Sequence, residues 1–236
     1  IVDGPLRLGF AGLADAAEAS TRAAIAAGVE PGTRAAIWAP NIYEWVVAAV
    51  GIHGAGGVLV PLNTRFKGPE AADILGRSHA RMLFCVNGFL GTDYPELLRS
   101  AGVVLPDLER IVVLRGEPDE GAETWAAYLA RGTEVASATA RRAWASVEAS
   151  TLSDIIFTSG TTGRPKGAMA THGQTLRVFE TWSDVVGLRA GDRYLVVNPF
   201  FHTFGYKAGW VACLLKGATI LPQAVFDVAE SMTRIA

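Results

Sequence analysis

The chain has 236 residues, half of them hydrophobic and 19% charged, with a formal net charge of −2. That composition supplies enough apolar material for a substantial buried core and excludes a disordered segment. The near-neutral charge excludes binding driven by bulk electrostatics, so no nucleic-acid partner and no anionic membrane surface is expected.

The predicted elements alternate between strand and helix. Leu6–Phe10 is a short extended segment, and Ala11–Ala27 carries a helical apolar stripe (Leu13, Ala16, Ala17, Ala24, Ile25) closed by Gly28. After a turn at Val29–Thr33, Arg34–Trp38 reads as a strand, Ile42–His53 as a helix and Val58–Leu62 as the next strand. This order implies a parallel pair with a right-handed crossover. Pro69–Ser78 then reads as a helix, Ala80–Val86 as a strand, Tyr94–Ser100 as a short helix and Glu109–Leu114 as a strand. Residues 116–149 are less regular. Thr124–Arg131 is expected to be helical, and the acidic run of Glu117, Asp119, Glu120 and Glu123 is expected to be a solvated loop rather than a metal site. Asp154–Phe157 reads as a short buried strand. Gly173–Val186 is expected as a helix, Arg193–Val197 as a strand, Phe204–Leu215 as a helix and Ala218–Leu221 as a strand. The whole is a layered α/β domain.

The longest apolar region, Trp45–Leu62, is interrupted by Gly51, His53, Gly54, Gly56 and Gly57, so no integral membrane segment is expected. Cys85 and Cys213 sit in apolar stretches and read as reduced core thiols of a cytoplasmic protein. No Cys/His spacing suggests zinc. The chain starts at Ile1 rather than Met and stops at Ala236 inside a helical pattern, so it is expected to be a piece of a longer protein.

One stretch stands apart: Thr158-Ser159-Gly160-Thr161-Thr162-Gly163-Arg164-Pro165-Lys166-Gly167. It is too polar to be core. Glycines let backbone N–H groups approach a ligand, hydroxyls donate hydrogen bonds, and Lys166 adds a positive charge. Only four lysines occur in the chain: Lys67, Lys166, Lys207 and Lys216. The expectation is a phosphate-gripping loop at a strand end. It is not the common P-loop, because Pro165 precedes Lys166 and Gly167 follows it, leaving no Gly-Lys-Ser/Thr core. The competing reading is an ordinary strand-to-helix turn.

A second stretch, Asn198-Pro199-Phe200-Phe201-His202-Thr203-Phe204-Gly205, follows a strand and belongs at the carboxyl edge of a sheet, where open α/β folds bind ligands. Two readings of His202 stay open: a core imidazole bonded to a carbonyl, or a pocket residue that hydrogen-bonds an oxyanion while the phenylalanines exclude water. For Arg34 to Trp45 the residues favour a purely structural role. His53, His79 and His172 are read the same way, with His172 and Gln174 capping or lining the helix after the loop.

Together these stretches resemble the adenylate-forming (AMP-binding) superfamily, on its fatty-acyl-CoA synthetase branch. Thr33–Asn63 looks like the family's early core motif, TSGTTGRPKG at Thr158–Gly167 like its signature loop, and PFFHTFG at Pro199–Gly205 like its aromatic–histidine motif. The resemblance implies a fold of the acetyl-CoA-synthetase type, with residues 1–236 as the front part of the large N-terminal domain. It also implies ATP-dependent activation of a fatty or related carboxylic acid to an acyl-adenylate, followed by thioester formation with CoA. Thr158, Ser159, Gly160, Thr161, Thr162, Gly163 and Lys166 would hold the ATP phosphates. Lys166 and His202 would be catalytic, and His202, Phe201 and Phe204 would line the acid site. Mg2+ is implied, with no ligand assigned in this chain, and a homodimer is an expected assembly. The family's adenine- and ribose-contacting motifs and its small C-terminal domain have no counterpart here, so these residues by themselves are expected to be inactive. Two rival readings are an adenylating enzyme with another acceptor, luciferase-like or a carrier-protein ligase, and a non-catalytic nucleotide-binding module.

Overall fold

The computed structural model describes residues 1–158 and 164–235. A short hairpin of β1 (Val2–Asp3) and β2 (Leu6–Arg7) leads into α1 (Phe10–Ala26). There follow β3 (Arg34–Trp38), α2 (Tyr43–Gly54), β4 (Val58–Pro61), α3 (Gly68–Ser78) and β5 (Met82–Cys85). A second hairpin, β6 (Asn87–Phe89) and β7 (Thr92–Asp93), precedes α4 (Tyr94–Arg99), β8 (Arg110–Val113), β9 (Ala122–Thr124), α5 (Trp125–Arg131) and α6 (Ser137–Ser146). The last part holds β10 (Leu152–Thr158), β11 (Lys166–Thr171), α7 (His172–Val185), β12 (Arg193–Val196) and α8 (Thr203–Gly205). A π-helical stretch, Tyr206–Val211, continues α8 into α9 (Ala212–Lys216), followed by β13 (Thr219–Pro222) and α10 (Val228–Ile235).

Seven strands form one sheet in the order β11-β10-β4-β3-β5-β8-β9. Every neighbouring pair is parallel except β10 with β11. Parallel strands covered on both faces carry continuous apolar runs, and the middle of this sheet does so: β4 (Val-Leu-Val-Pro) and β5 (Met-Leu-Phe-Cys) are buried at every position. The layered α/β expectation is met, and Arg34–Trp38 is a strand over the predicted residues. The chain leaves β3 for β4 on one side and then crosses to β5 on the other, so the loops after β3 and β5 diverge at the carboxyl edge. Such a switch point leaves a crevice there. A separate parallel pair, β12 and β13, lies outside this sheet.

Helix α2 is buried almost all round, and Gly51 and Gly54 let α1 and α6 lie against it. A Cβ at Gly51 would collide with the Ser20 side chain, and one at Gly54 with Trp144 and Thr21. The glycines that interrupt the apolar run in the sequence are therefore contact points between helices.

Several elements were not predicted, the first strand β1 (Val2–Asp3) among them. α6 lies within residues read as surface connection. Its alanine-rich sequence buries only Ala140, and Trp144 Nε1 fixes it to α1 by donating to Thr21 Oγ1 at 2.8 Å. β9 lies within the run read as a solvated acidic loop, and its Glu123 pairs with Arg131 at 2.8 Å. The β6–β7 hairpin turns through Leu90, a non-glycine residue with φ of 52°. The last, β11, alters the reading of the signature loop.

Candidate functional site

β10 runs parallel to β4, so its last residue, Thr158, stands at the carboxyl edge of the sheet. The chain re-enters as β11 at Lys166, antiparallel to β10, with Thr158 opposite Lys166 in register. The signature stretch thus connects two strands of a hairpin and does not open a helix directly. Ser159, Gly160, Thr161, Thr162 and Gly163 lie outside the described residues. Thr158 and Lys166 are exposed, and Thr158 Oγ1 donates to the Lys166 carbonyl at 3.4 Å. β11 escaped prediction because Lys-Gly-Ala-Met-Ala-Thr has few residues of high β propensity. It is a sheet-edge strand with its first four residues exposed. Gly167 is required there: a Cβ would come within 2.8 Å of Ile155 Cγ2 on the paired strand. Helix α7 then starts with a capping box, in which Thr171 Oγ1 accepts from Gln174 N at 3.2 Å and Gln174 Oε1 from Thr171 N at 2.9 Å. Gln174 is a cap, as the sequence suggests.

The aromatic–histidine segment follows β12 and is held by residues from the loop after β3. The Asn41 side chain is buried and fully bonded. Its Nδ2 donates to the carbonyls of Val196 (3.1 Å) and Asn198 (2.9 Å), and its Oδ1 accepts from Phe200 N at 2.7 Å. Trp45, wholly buried in α2, meets the rings of Phe200, Tyr206 and Trp210 at 5.6, 5.7 and 5.9 Å. The stretch from Arg34 to Trp45 is structural in the sense expected, yet the structure it builds is the seat of the histidine segment. A side chain at Gly205 would strike the Asn198 and Pro199 carbonyls, so this turn requires glycine.

The three site residues predicted from this segment face different surroundings. Phe201 lines a cleft of ≈ 450 Å³ at the carboxyl edge, together with Asn41, Asn63, Tyr94 and Pro199. His202 is exposed at the N-cap of α8, where Nδ1 accepts from Phe204 N at 3.3 Å, which leaves Nε2 as its outward-facing nitrogen. Phe204 is 44% exposed and stands edge-on to Trp182 of α7, with ring centroids 5.8 Å apart. Trp182 carries no signal in the sequence, because only the packing of α7 beside α8 brings it to Phe204.

Behind this surface runs a buried polar cluster. Lys207 Nζ lies 2.9 Å from Asp154 Oδ1, and both side chains are buried. The approach is off the line of a hydrogen bond, so the contact is chiefly electrostatic. The other carboxylate oxygen, Oδ2, accepts from Ser153 Oγ at 2.6 Å. His53 of α2 reaches the Ser153 carbonyl through Nε2 at 3.1 Å and meets the His172 ring edge-on at 4.9 Å. Burial, reinforced by His172 and Lys207, pushes the His53 imidazole from its ordinary 6.5 down to about 3. Burial also lowers His172, which Asp154 partly offsets. The cluster therefore joins β10, which leads to the signature loop, to the helix that follows His202.

The His53 shift has a measurable consequence. Between pH 6.5 and about 3 the unfolded chain binds a proton that folded His53 refuses, so stability is lost as pH falls through this window. The slope approaches about 1.4 kcal/mol per pH unit. Urea titrations at pH 7 and pH 5 should show a loss for the parent about 2 kcal/mol larger than for His53→Asn. Equal losses would show that His53 does not resist protonation.

Among known proteins, the family described as AMP-binding enzyme matches residues 1–234. The chain belongs to that family. It is 44% identical over 238 residues to a (7a-methyl-1,5-dioxo-octahydro-1H-inden-4-yl)propanoyl:CoA ligase of Rhodococcus jostii, covering 100% of this chain and 46% of the relative. A ligase of the same description from Mycobacterium tuberculosis is 46% identical over 226 residues, covering 94% of this chain and 43% of the relative. The anthranilate CoA ligase AuaEII, solved with anthranoyl-AMP, superposes with a TM-score of 0.83 at 27% identity, over 98% of this chain and 43% of that one. The chain spans about half the length of the curated relatives it matches. The fold is that of the adenylate-forming enzymes.

Proposed function

We propose that the complete protein is an acid–thiol ligase that makes an acyl-CoA in two steps. A carboxylate oxygen attacks the α-phosphorus of ATP, and pyrophosphate leaves with the electron pair of the broken P–O bond. The thiolate of CoA then attacks the acyl carbon of the adenylate, and AMP leaves. The observation that carries this reading is the position of the signature stretch: it starts and ends at the carboxyl edge of the sheet, the edge on which Asn41 anchors the His202 segment. In this reading Thr158, Lys166 and the hydroxyls and amides of residues 159–163 grip the phosphates as charge builds on the departing pyrophosphate. His202 orients the carboxylate, and Phe201 and Phe204 shield the acid site from water. Among the described residues no group of three His, Cys, Asp or Glu side chains converges on a metal, so no magnesium ligand is assigned here. No helix among them is long and apolar enough to cross a membrane.

The 44% and 46% identities favour an oxo-substituted fused-ring propanoate as the acid and CoA as the acceptor. Two buried thiols, Cys85 and Cys213, fit a reducing cytoplasmic setting.

Carboxylate-dependent ATP–pyrophosphate exchange by the complete enzyme tests the first step. Lys166→Ala and Thr161→Ala should each lower the exchange kcat by roughly a hundredfold, the worth of one oxyanion donor. Wild-type exchange in both would remove the loop from the mechanism. His202→Ala should weaken use of the acid, and an unchanged profile across a panel of acids would return it to a structural role. AMP release that ignores CoA would favour a different acceptor.

A further inference from the structure

The hairpin of β10 and β11, which carries the signature stretch, is joined to the main sheet at a single ladder position. Among the described residues β10 pairs with β4 only at Asp154, opposite Leu59. Pro61, the last residue of β4, has no N–H with which to continue that ladder. From Ile155 to Thr158 the strand pairs with β11 alone. Side-chain contacts such as Arg77 over the Phe157 ring, at 5.2 Å, tie it to the rest. The register with β11 also slips between Leu152 and Asp154. Such a bulge re-aims side chains and is common beside active sites. Here it leaves two successive residues, Ser153 and Asp154, buried where an unbroken strand would alternate.

Asp154 is thereby aimed at the helix that follows His202. Its carboxylate lies 2.9 Å from Lys207 Nζ. The residues before these two meet as well: His53 Nε2 lies 3.1 Å from the Ser153 carbonyl oxygen and 3.4 Å from the Tyr206 hydroxyl. The same helix is set against β12, where a Cβ at Gly209 would come within 2.8 Å of Val196 Cγ1. Its π-helical geometry begins at Tyr206, and such stretches are frequent at functional sites. A buried ion pair adds little stability over apolar residues of the same volume. Stability alone therefore does not account for a charge pair at the root of this hairpin.

We propose that Asp154 and Lys207 are positioning residues: their contact fixes the hairpin of the signature stretch against the helix of His202, and so holds the ATP phosphates and the acid carboxylate in register for attack. The assignment rests on the reading above, in which the signature stretch grips the phosphates and His202 orients the acid. Both side chains are buried and act through the elements they join. The pair serves the first step, in which the two halves of the site work together. It does not serve the second, in which the loop has no pyrophosphate left to hold. Displacing reacting groups by about 1 Å can cost a hundredfold in rate. A polyphosphate bound at the loop is also felt at His202, because the pair makes one body of the two.

The experiment compares the complete parent enzyme with the double variant Asp154→Leu with Lys207→Met, which removes both charges and should keep the parent Tm. With the oxo-substituted fused-ring propanoate, its kcat for ATP–pyrophosphate exchange should fall by about tenfold to a hundredfold. Thioester formation from the pre-formed acyl-adenylate and CoA should stay within about twofold of the parent. Asp154→Asn, which keeps the shape of the side chain, should divide the two steps in the same direction. Parent rates of exchange in both variants, or equal losses in the two steps, would overturn the assignment, since a general structural defect lowers both. An arm independent of catalysis is NMR of the His202 ring, its resonance assigned with His202→Gln. Inorganic triphosphate alone should shift that resonance in the parent and leave it unmoved in the double variant. The same shift in both proteins, or none in the parent, would also overturn the assignment. A parent that exchanges with no acid in a panel, yet shows this response at His202, would sink the activity reading and keep the role of the pair.

Discussion

Replacing Lys207 with methionine should destabilise the protein by about 3–5 kcal/mol, because it leaves the Asp154 carboxylate charged, buried and unpaired. Asp154 is 0% exposed and retains only the Ser153 hydroxyl as a partner once Lys207 is gone. The double replacement Asp154→Leu with Lys207→Met should recover most of that loss, since removing both charges also removes the desolvation penalty. Urea denaturation of the parent, both single variants and the double variant forms the required cycle. A single Lys207→Met variant within about 1 kcal/mol of the parent would show that water or a proton reaches Asp154 after all. The pair joins the strand that enters the signature loop to the helix that leaves His202, so its loss should reach both halves of the site.

The second large effect is expected at Asn41. Asn41→Ala strands the buried Phe200 N–H and the Asn198 carbonyl, and leaves the Val196 carbonyl with only the backbone N–H of Gln223, at 3.2 Å. Unpaired buried groups cost about 1–3 kcal/mol apiece, and partial relaxation toward solvent sets the total at roughly 3–4 kcal/mol. Asn41→Asp should be nearly as damaging, because a carboxylate accepts from Phe200 N and repels both carbonyls. Denaturation measures the stability, and hydrogen exchange at residues 198–206 shows where it is lost. Protection at these amides equal to the parent's would mean that Asn41 does not seat the histidine segment.

Much of this was legible in the sequence because it depends on local periodicity or local chemistry. The strand Arg34–Trp38 and the helices around residues 43–54 and 172–185 follow from apolar patterns that their own neighbours complete. The signature stretch is recognisable because glycines, hydroxyls and one lysine in ten residues have no use in a core. α6 and β11 were illegible for the opposite reason. Their residues are small or exposed, and what holds them is a partner distant in the chain: Thr21 for Trp144, and β10 for Lys166–Thr171.

The sequence by itself determined the layered α/β class, the family, and the candidate phosphate and acid segments, since each is written in contiguous residues. Only the tertiary structure decided that Asn41 and Trp45 seat His202, that Phe201 and Phe204 face different surroundings, and that Asp154 meets Lys207 in the core. Those relations join residues from about 50 to 160 positions apart, and nothing in a run of neighbours encodes the packing that brings them together.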